Sequence, residues 1–154
     1  MSHPPPPHCP SADPRAEGAR IFGVVRREEG RAPRVEYLDR PVAASGRVLA
    51  LVSAAPPAAV FRATAPCAES RCGHFDGQHC RLGARVRTHL PSVADELPSC
   101  AIRASCRWFR EQGAEVCRRC TFVVTETADR DAADGALRWI ADPASPPGER
   151  PVSA

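Results

Sequence analysis

Lysine and asparagine are absent from this chain of 154 residues, so all 21 of its basic side chains are arginine. The codons for Lys and Asn are rich in A and T, and the absence of both therefore indicates a GC-rich genome, as in many bacteria. The formal net charge of +3 is also small. Because genome composition accounts for the choice of Arg, the charge alone does not predict a nucleic-acid partner.

Long apolar runs are missing as well. No stretch approaches the ~18–20 apolar residues that a membrane-spanning helix needs, and the polar, proline-rich start lacks the pattern of a secretory signal. We therefore expect a cytoplasmic protein without a membrane partner. Structural disulfides are disfavoured in that compartment, so the eight cysteines predict metal ligands or redox thiols.

The distribution of proline and cysteine divides the chain into four segments. Residues 1–17 predict a disordered, proline-rich leader, and residues 128–154 predict a mostly disordered tail, because neither has a hydrophobic pattern. Residues 18–66 predict a small β-rich layer. Residues 67–127 predict a cysteine-rich, metal-binding region of loops and short helices. The fold class expected is α+β with disordered termini.

The β-rich segment contains a hairpin pattern but no catalytic pattern. Two apolar runs within residues 20–42 flank a charged turn with Gly30 and Pro33, as in a β-hairpin. The segment has no cysteine, no paired catalytic carboxylates and no glycine loop that would cradle a phosphate. The sequence therefore gives no support for independent enzyme chemistry.

Seven cysteines fall within residues 67–120, in the patterns C-x4-C-x7-C and C-x5-C-x10-C-x2-C. A C-x2-C pair is a tight chelating unit, because two thiolates can reach one metal from a single turn. The predicted metal ligands are Cys67, Cys72, Cys80, Cys100, Cys106, Cys117 and Cys120, with His74 as an eighth. Eight ligands would make two four-coordinate sites. Cys9 lies alone in the leader and is not counted among them.

The long gaps between cysteines favour an iron–sulfur cluster over zinc. Structural zinc sites use two closely spaced pairs, and only Cys117 and Cys120 match that spacing. A cluster is larger than one ion and accepts thiolates from separate elements. Zinc stays open as the alternative, and so does a redox dithiol at Cys117 and Cys120 with a pKa lowered by Arg118 and Arg119.

Spacing predicts one helix over residues 99–113, ending at Gly113. On this helix Arg103, Arg107 and Arg110 would form one face. After Gly113 the chain would turn back, so that Cys117 and Cys120 approach Cys106. An exposed aromatic pair beside the arginines would allow nucleic-acid binding, but the helical spacing turns Phe109 toward the apolar side.

The block "PSCAIRASCRWFREQGAEVCRRCTFVVT", residues 98–125, resembles a poorly characterised group of small bacterial cysteine-rich proteins. Its members share C-x-I-R-x-x-C-R-W-F, an E-Q-G or Q-E-G turn, C-x-x-C and V-V-T, and some carry a loose nitrogen-fixation label. The likeness is best over residues 67–125. It implies an iron–sulfur or metal-binding protein that uses the seven cysteines. Thr121 stands where the group has Pro.

These observations predict a [4Fe–4S] protein that serves as an electron carrier or as an accessory subunit, with a protein redox or enzyme partner. The alternative is a zinc-stabilised interaction module without a redox role. Nucleic-acid binding is the weakest of the three functional hypotheses.

Overall fold

The computed structural model describes residues 6–52, 54–92, 96–125, 140 and 142–144. Within these residues the chain forms a four-stranded antiparallel sheet and several short helices. The predicted α+β class is confirmed. Among the described residues no helix has the length and apolar character needed to cross a membrane.

The sheet has the strand order β1-β4-β2-β3, with every neighbouring pair antiparallel. Its strands are β1 (His8–Ala12), β2 (Arg20–Arg26), β3 (Arg34–Ala43) and β4 (Phe61–Pro66). The predicted hairpin is confirmed as β2 and β3, which pair from Arg26 opposite Arg34 to Arg20 opposite Ala43.

Strand β4 lies inside the sheet, and its side chains are buried on both faces. Ala63 and Arg62 are fully buried, and Thr64 and Ala65 each expose only 3% of their surface. A strand covered on both sides does not show the alternation of a half-exposed strand. A polar residue such as Arg62 can therefore lie in the interior.

The helices are short, and none of those described exceeds nine residues. They are α1 (Gly46–Leu49), α2 (Pro57–Val60), α3 (Arg81–His89), α4 (Arg107–Gln112) and α5 (Ala114–Cys120), with 3₁₀ turns at Glu69–Arg71 and Arg103–Ser105. Isolated helices of this length are unstable in water. Here α3, α4 and α5 pack against one another, and α4 contacts β1.

The helix predicted over residues 99–113 is wrong at its start. A 3₁₀ turn at Arg103–Ser105 precedes an extended Cys106, and α4 begins only at Arg107. The three arginines therefore do not share one helical face. The predicted end is confirmed, because Gly113 has a φ of +70°, which favours glycine. Cys117 and Cys120 then lie on α5 and not in a loop.

The predicted disordered leader differs from the structure over residues 8–12, which form β1. β1 is an edge strand of the sheet, where it pairs with β4. An edge strand tolerates proline, since one side of its backbone needs no hydrogen-bond partner. Pro10 therefore does not prevent the strand, and Cys9 becomes part of the sheet.

Most of the predicted tail, residues 128–154, lies outside the described residues. Ile140 and residues 142–144 are described, and they contact the rest of the fold. Ile140 is buried in the helical core with 3% of its surface exposed. The carbonyl oxygen of Asp142 accepts a hydrogen bond from Arg85 Nη1 at 2.9 Å.

The core around the helices contains sulfur as well as carbon. It is formed by Val86, Leu90, Cys106, Trp108, Val116, Val123 and Ile140. Cys80, Cys117 and Cys120 pack against it and are partly buried. The cysteine-rich segment thus uses thiols where a larger protein would use hydrocarbon side chains.

Candidate metal centre

Four cysteines line one cavity between the sheet and the helices: Cys100, Cys106, Cys117 and Cys120. We call them the first thiol group. Cys106 is the N-cap of α4, and Cys117 and Cys120 lie three residues apart on α5, where side chains share a face. The turn at Gly113 between α4 and α5 therefore brings Cys117 and Cys120 to the same cavity as Cys106.

The other walls of this cavity are mainly apolar. They are formed by Pro10, Phe22, Tyr37, Pro98, Ile102, Trp108 and Val116, together with Arg103. The volume of the cavity is about 20 Å³. Apolar walls limit the access of water to the thiols. Solvent access in turn affects the redox potential of a metal bound at such a site.

Burial favours the neutral form of the thiols of Cys100, Cys106 and Cys117. It raises the pKa of Cys106 to about 12 and also raises the pKa values of Cys100 and Cys117. The neighbouring Cys120 raises all three further. A bound metal cation reverses this effect, because a coordinating thiol loses its proton.

The raised pKa of Cys117 does not support the redox dithiol. A reactive cysteine needs a lowered pKa, and the two arginines expected to provide it have other partners. Arg118 Nη1 lies 2.5 Å from Glu115 Oε1, and Arg119 Nη1 lies 2.9 Å from Glu115 Oε2. Their charges are thus directed toward a carboxylate.

Arg62 is a fully buried cation beside the first thiol group. Its guanidinium donates to the carbonyl oxygens of Pro10, Cys120 and Val123 at 2.7–3.1 Å, and to Cys120 Sγ at 3.2 Å. None of the described carboxylates forms an ion pair with it. Burying a charge without an opposite charge is costly, and thiolates around a metal would supply that opposite charge.

The remaining cysteines lie together near the end of β4, and we call them the second thiol group: Cys9, Cys67, Cys72 and Cys80. Cys67 follows β4, Cys72 follows the 3₁₀ turn at Glu69–Arg71, and Cys80 is the N-cap of α3. Burial raises the pKa of Cys9 to about 12, and the thiols of Cys80, Cys67 and Cys72 add to this rise. Cys9 therefore lies within electrostatic reach of the other three thiols.

Arg107 is the cation beside the second thiol group. Its side chain exposes 10% of its surface and pairs with Glu111 at 3.1 Å. Burial opposes a charge at this position, but the contacts of Arg107 with Cys67 and Glu111 outweigh that effect and raise its pKa. Glu111 Oε1 also accepts the backbone N–H of Cys80 at 2.8 Å, so Glu111 links α4 to the start of α3.

His74 does not line the cavity of the first thiol group. It lines a separate cavity of about 140 Å³ with Ser11, Leu82, Leu90, Val123, Val124, Thr125 and Ile140, and no cysteine lines that cavity. Its role as a metal ligand stays a prediction.

All eight cysteines are free thiols. As they stand, the described His, Cys, Asp and Glu side chains include no group of three or more arranged to hold a metal ion. The thiols of the first group therefore share a cavity, and in the second group the other three thiols act electrostatically on Cys9.

Two residues of these sites were not predicted from the sequence. Cys9 gave no signal because the prolines around it indicate disorder. Arg62 gave none because nothing in the sequence around it shows that both faces of β4 are covered.

Comparison with family models, with curated proteins and with solved structures finds no match for this chain. The resemblance to small bacterial cysteine-rich proteins therefore stays a prediction.

Proposed function

We propose that this protein binds an iron–sulfur cluster at the first thiol group and acts in the cytoplasm as an electron carrier or as an accessory subunit of a larger enzyme. One observation carries the proposal. Four thiols from separate parts of the cysteine-rich segment line a single apolar cavity. The partner would be a redox protein or an enzyme that exchanges electrons with the cluster.

Each part of the cavity has a task in this proposal. Cys100, Cys106, Cys117 and Cys120 hold the cluster, which when bound accepts and releases single electrons. The apolar walls exclude water. Arg62 supplies a positive charge from the sheet side, and Arg103 supplies another from the 3₁₀ turn, where it lowers the pKa of Cys117 against the effect of burial.

Zinc is the second candidate, and the size of the cavity favours it. The volume of the cavity, about 20 Å³, is close to the space that one water molecule needs. A cluster would require the four thiol side chains to move outward, whereas one ion would draw them inward. In that case the metal would stabilise the helices without taking part in electron transfer.

Nucleic-acid binding has less support. Stacking on a base requires exposed aromatic side chains, and Trp108 exposes only 1% of its surface. Arg107, beside it, is likewise enclosed and paired with Glu111.

Purification without oxygen, followed by metal and sulfide analysis, tests the proposal. We expect a brown protein with broad absorption near ~400 nm and with iron and acid-labile sulfide in equal amounts, as thiolate-bound clusters imply. A colourless protein with stoichiometric zinc would contradict it and favour the second candidate.

Two variants in the same cavity show whether the first thiol group holds the cluster. Cys106→Ser removes one sulfur and should lower the iron content. Ile102→Val removes one carbon from the same wall but no sulfur, so its iron content should equal that of the wild type. Equal iron content in Cys106→Ser and the wild type would contradict the proposed site.

A further inference from the structure

The pairing of β1 with β4 brings two cysteines of distant sequence to one face of the sheet. Cys9 lies directly opposite Ala65, and residues directly opposite each other point to the same face. Cys67 is two residues beyond Ala65, so it extends the same face. The backbone N–H of Cys67 donates to the Pro7 carbonyl at 3.0 Å, which shows that the strands stay paired up to this point.

The loop over residues 72–80 brings the other two cysteines of the second thiol group together. Phe75 forms a bridge with Cys80, and the N–H of Phe75 donates to the Cys72 carbonyl at 3.1 Å. Asp76 Oδ1 accepts the N–H groups of Gln78 and His79 at 2.8 and 2.7 Å. These hydrogen bonds hold the loop closed, with Cys72 and Cys80 at its two ends.

A positive charge lies beside the second thiol group. Arg107 Nη1 lies 3.5 Å from Glu69 Oε1, in the turn between Cys67 and Cys72. Its guanidinium also lies over the ring of Phe75 at 5.0 Å, in the loop between Cys72 and Cys80. A cation from α4 therefore contacts both of the segments that connect the cysteines of the second thiol group.

Trp108 Nε1 is buried and has no hydrogen-bond partner among the described residues. Its indole packs against Gly83 of α3, and Cys80, the N-cap of the same helix, packs against the core that contains Trp108. A buried donor without an acceptor costs free energy. A thiolate or a sulfide bound at this position would be such an acceptor.

We propose that Cys9, Cys67, Cys72 and Cys80 hold a second iron–sulfur cluster, with Cys9 taking the place that the sequence predicted for His74. The inference rests on the proposed function, because it assumes the same kind of metal at both thiol groups. It adds a second centre and a ligand from the N-terminal strand.

The two centres would be neighbours. His8, next to Cys9, forms a bridge with Cys106 of the first thiol group. Trp108 lines the cavity of the first thiol group, and its indole also faces Gly83, where a Cβ atom would lie 2.8 Å from Trp108 Cδ1. Trp108 thus contacts both the cavity of the first thiol group and α3, the helix that begins after Cys80.

Iron analysis of the full chain, purified without oxygen, tests this inference with three variants. Cys9→Ser should retain about half of the wild-type iron and sulfide, because metal remains only at the first thiol group. Cys106→Ser should also retain about half. His74→Ala, the control, should retain all of it.

Thiol alkylation followed by peptide mapping gives a second readout that does not depend on total metal. In Cys9→Ser we expect rapid labelling of Cys67, Cys72 and Cys80, while the four cysteines of the first thiol group stay protected. If Cys9→Ser does not fold, the wild type is alkylated during stepwise chelation, and Cys9 should become reactive in the same step as Cys67, Cys72 and Cys80.

The outcomes separate this inference from the proposed function. A wild-type protein without iron contradicts both. Iron that is halved by Cys106→Ser but unchanged by Cys9→Ser contradicts only the second centre. Iron that is halved by His74→Ala and unchanged by Cys9→Ser assigns the fourth ligand to His74 and overturns the role of Cys9.

Discussion

The sheet and the helical region bury their side chains in different ways. The sheet buries hydrocarbon, with Ile21 and Phe22 exposing 2% and 1% of their surfaces and Ala63 fully enclosed. The helical region is built from α3, α4 and α5, which have nine, six and seven residues, and thiols pack into its core. The core of the helical region thus combines apolar side chains such as Val86 and Trp108 with the thiol of Cys106.

Under the proposed function, the helical region depends on its thiols for stability, because they hold the metal. Small domains with limited cores are usually stabilised by disulfides or by metals. All eight cysteines here are free thiols. Arg62 joins the two regions, because it extends from β4 and donates to Cys120 and Val123.

Removal of the metal should have the largest effect, and it should be confined to one region. Metal binding contributes about 10–16 kcal/mol to the folding of small zinc domains. Without metal we expect the amides of α4 and α5 to exchange with solvent as in an unfolded chain, while those of β2 and β3 stay protected. Hydrogen exchange measured by mass spectrometry, before and after chelation, checks this. Equal loss of protection in both regions would show that the sheet has no independent stability.

Arg62→Met should have the next largest effect, because it removes the cation that joins the regions. Removing one member of a buried charge pair costs roughly 3–5 kcal/mol. We expect a loss of this size in the metal-bound protein and a smaller one after chelation, when the neighbouring thiols are neutral. Arg62→Lys keeps the charge and should retain more metal than Arg62→Met. Thermal midpoints of each variant, measured with and without metal, give the loss of stability in the two states. Losses of equal size in the two states would exclude charge compensation by Arg62.

Substitution of one glycine in each region should have a smaller effect, and the two substitutions can be compared directly. Gly113, between α4 and α5, has φ +70° and ψ −160°, a conformation that costs other residues about 1–3 kcal/mol. Gly23 in β2 has no room for a Cβ atom, which would lie 2.5 Å from Val35 Cγ1, and such overpacking costs about 1–3 kcal/mol. Gly113→Ala should lower both the melting midpoint and the iron content, whereas Gly23→Ala should lower the midpoint alone. Iron loss in both variants to the same extent would contradict the separation of the two regions.

The sequence predicted the features that local patterns control. The β2–β3 hairpin and the helix end at Gly113 depend on neighbouring residues, and both are confirmed. The start of α4 was misplaced, because the apolar spacing continues through Cys106, where the backbone is extended. The spacing of cysteines identified seven candidate ligands but could not group them, since the grouping depends on how α3, α4 and α5 pack.

Cys9 and Arg62 show why the rest of the site could not be predicted. Cys9 reaches Cys67 only through the pairing of β1 with β4, which joins residues more than fifty positions apart. Nothing near Cys9 in the sequence carries that information. Arg62 is buried because β1 and β2 flank β4 and both faces of β4 are covered, a property of the whole sheet and not of the strand.

Native mass spectrometry of the full chain, purified without oxygen, tests the central claim most directly. The difference between the native and the denatured mass identifies what the thiols hold and how many groups are present. We predict a difference that equals two iron–sulfur clusters, one for each thiol group. A native mass equal to that of the chain alone, with all eight thiols free to alkylate, would contradict the account.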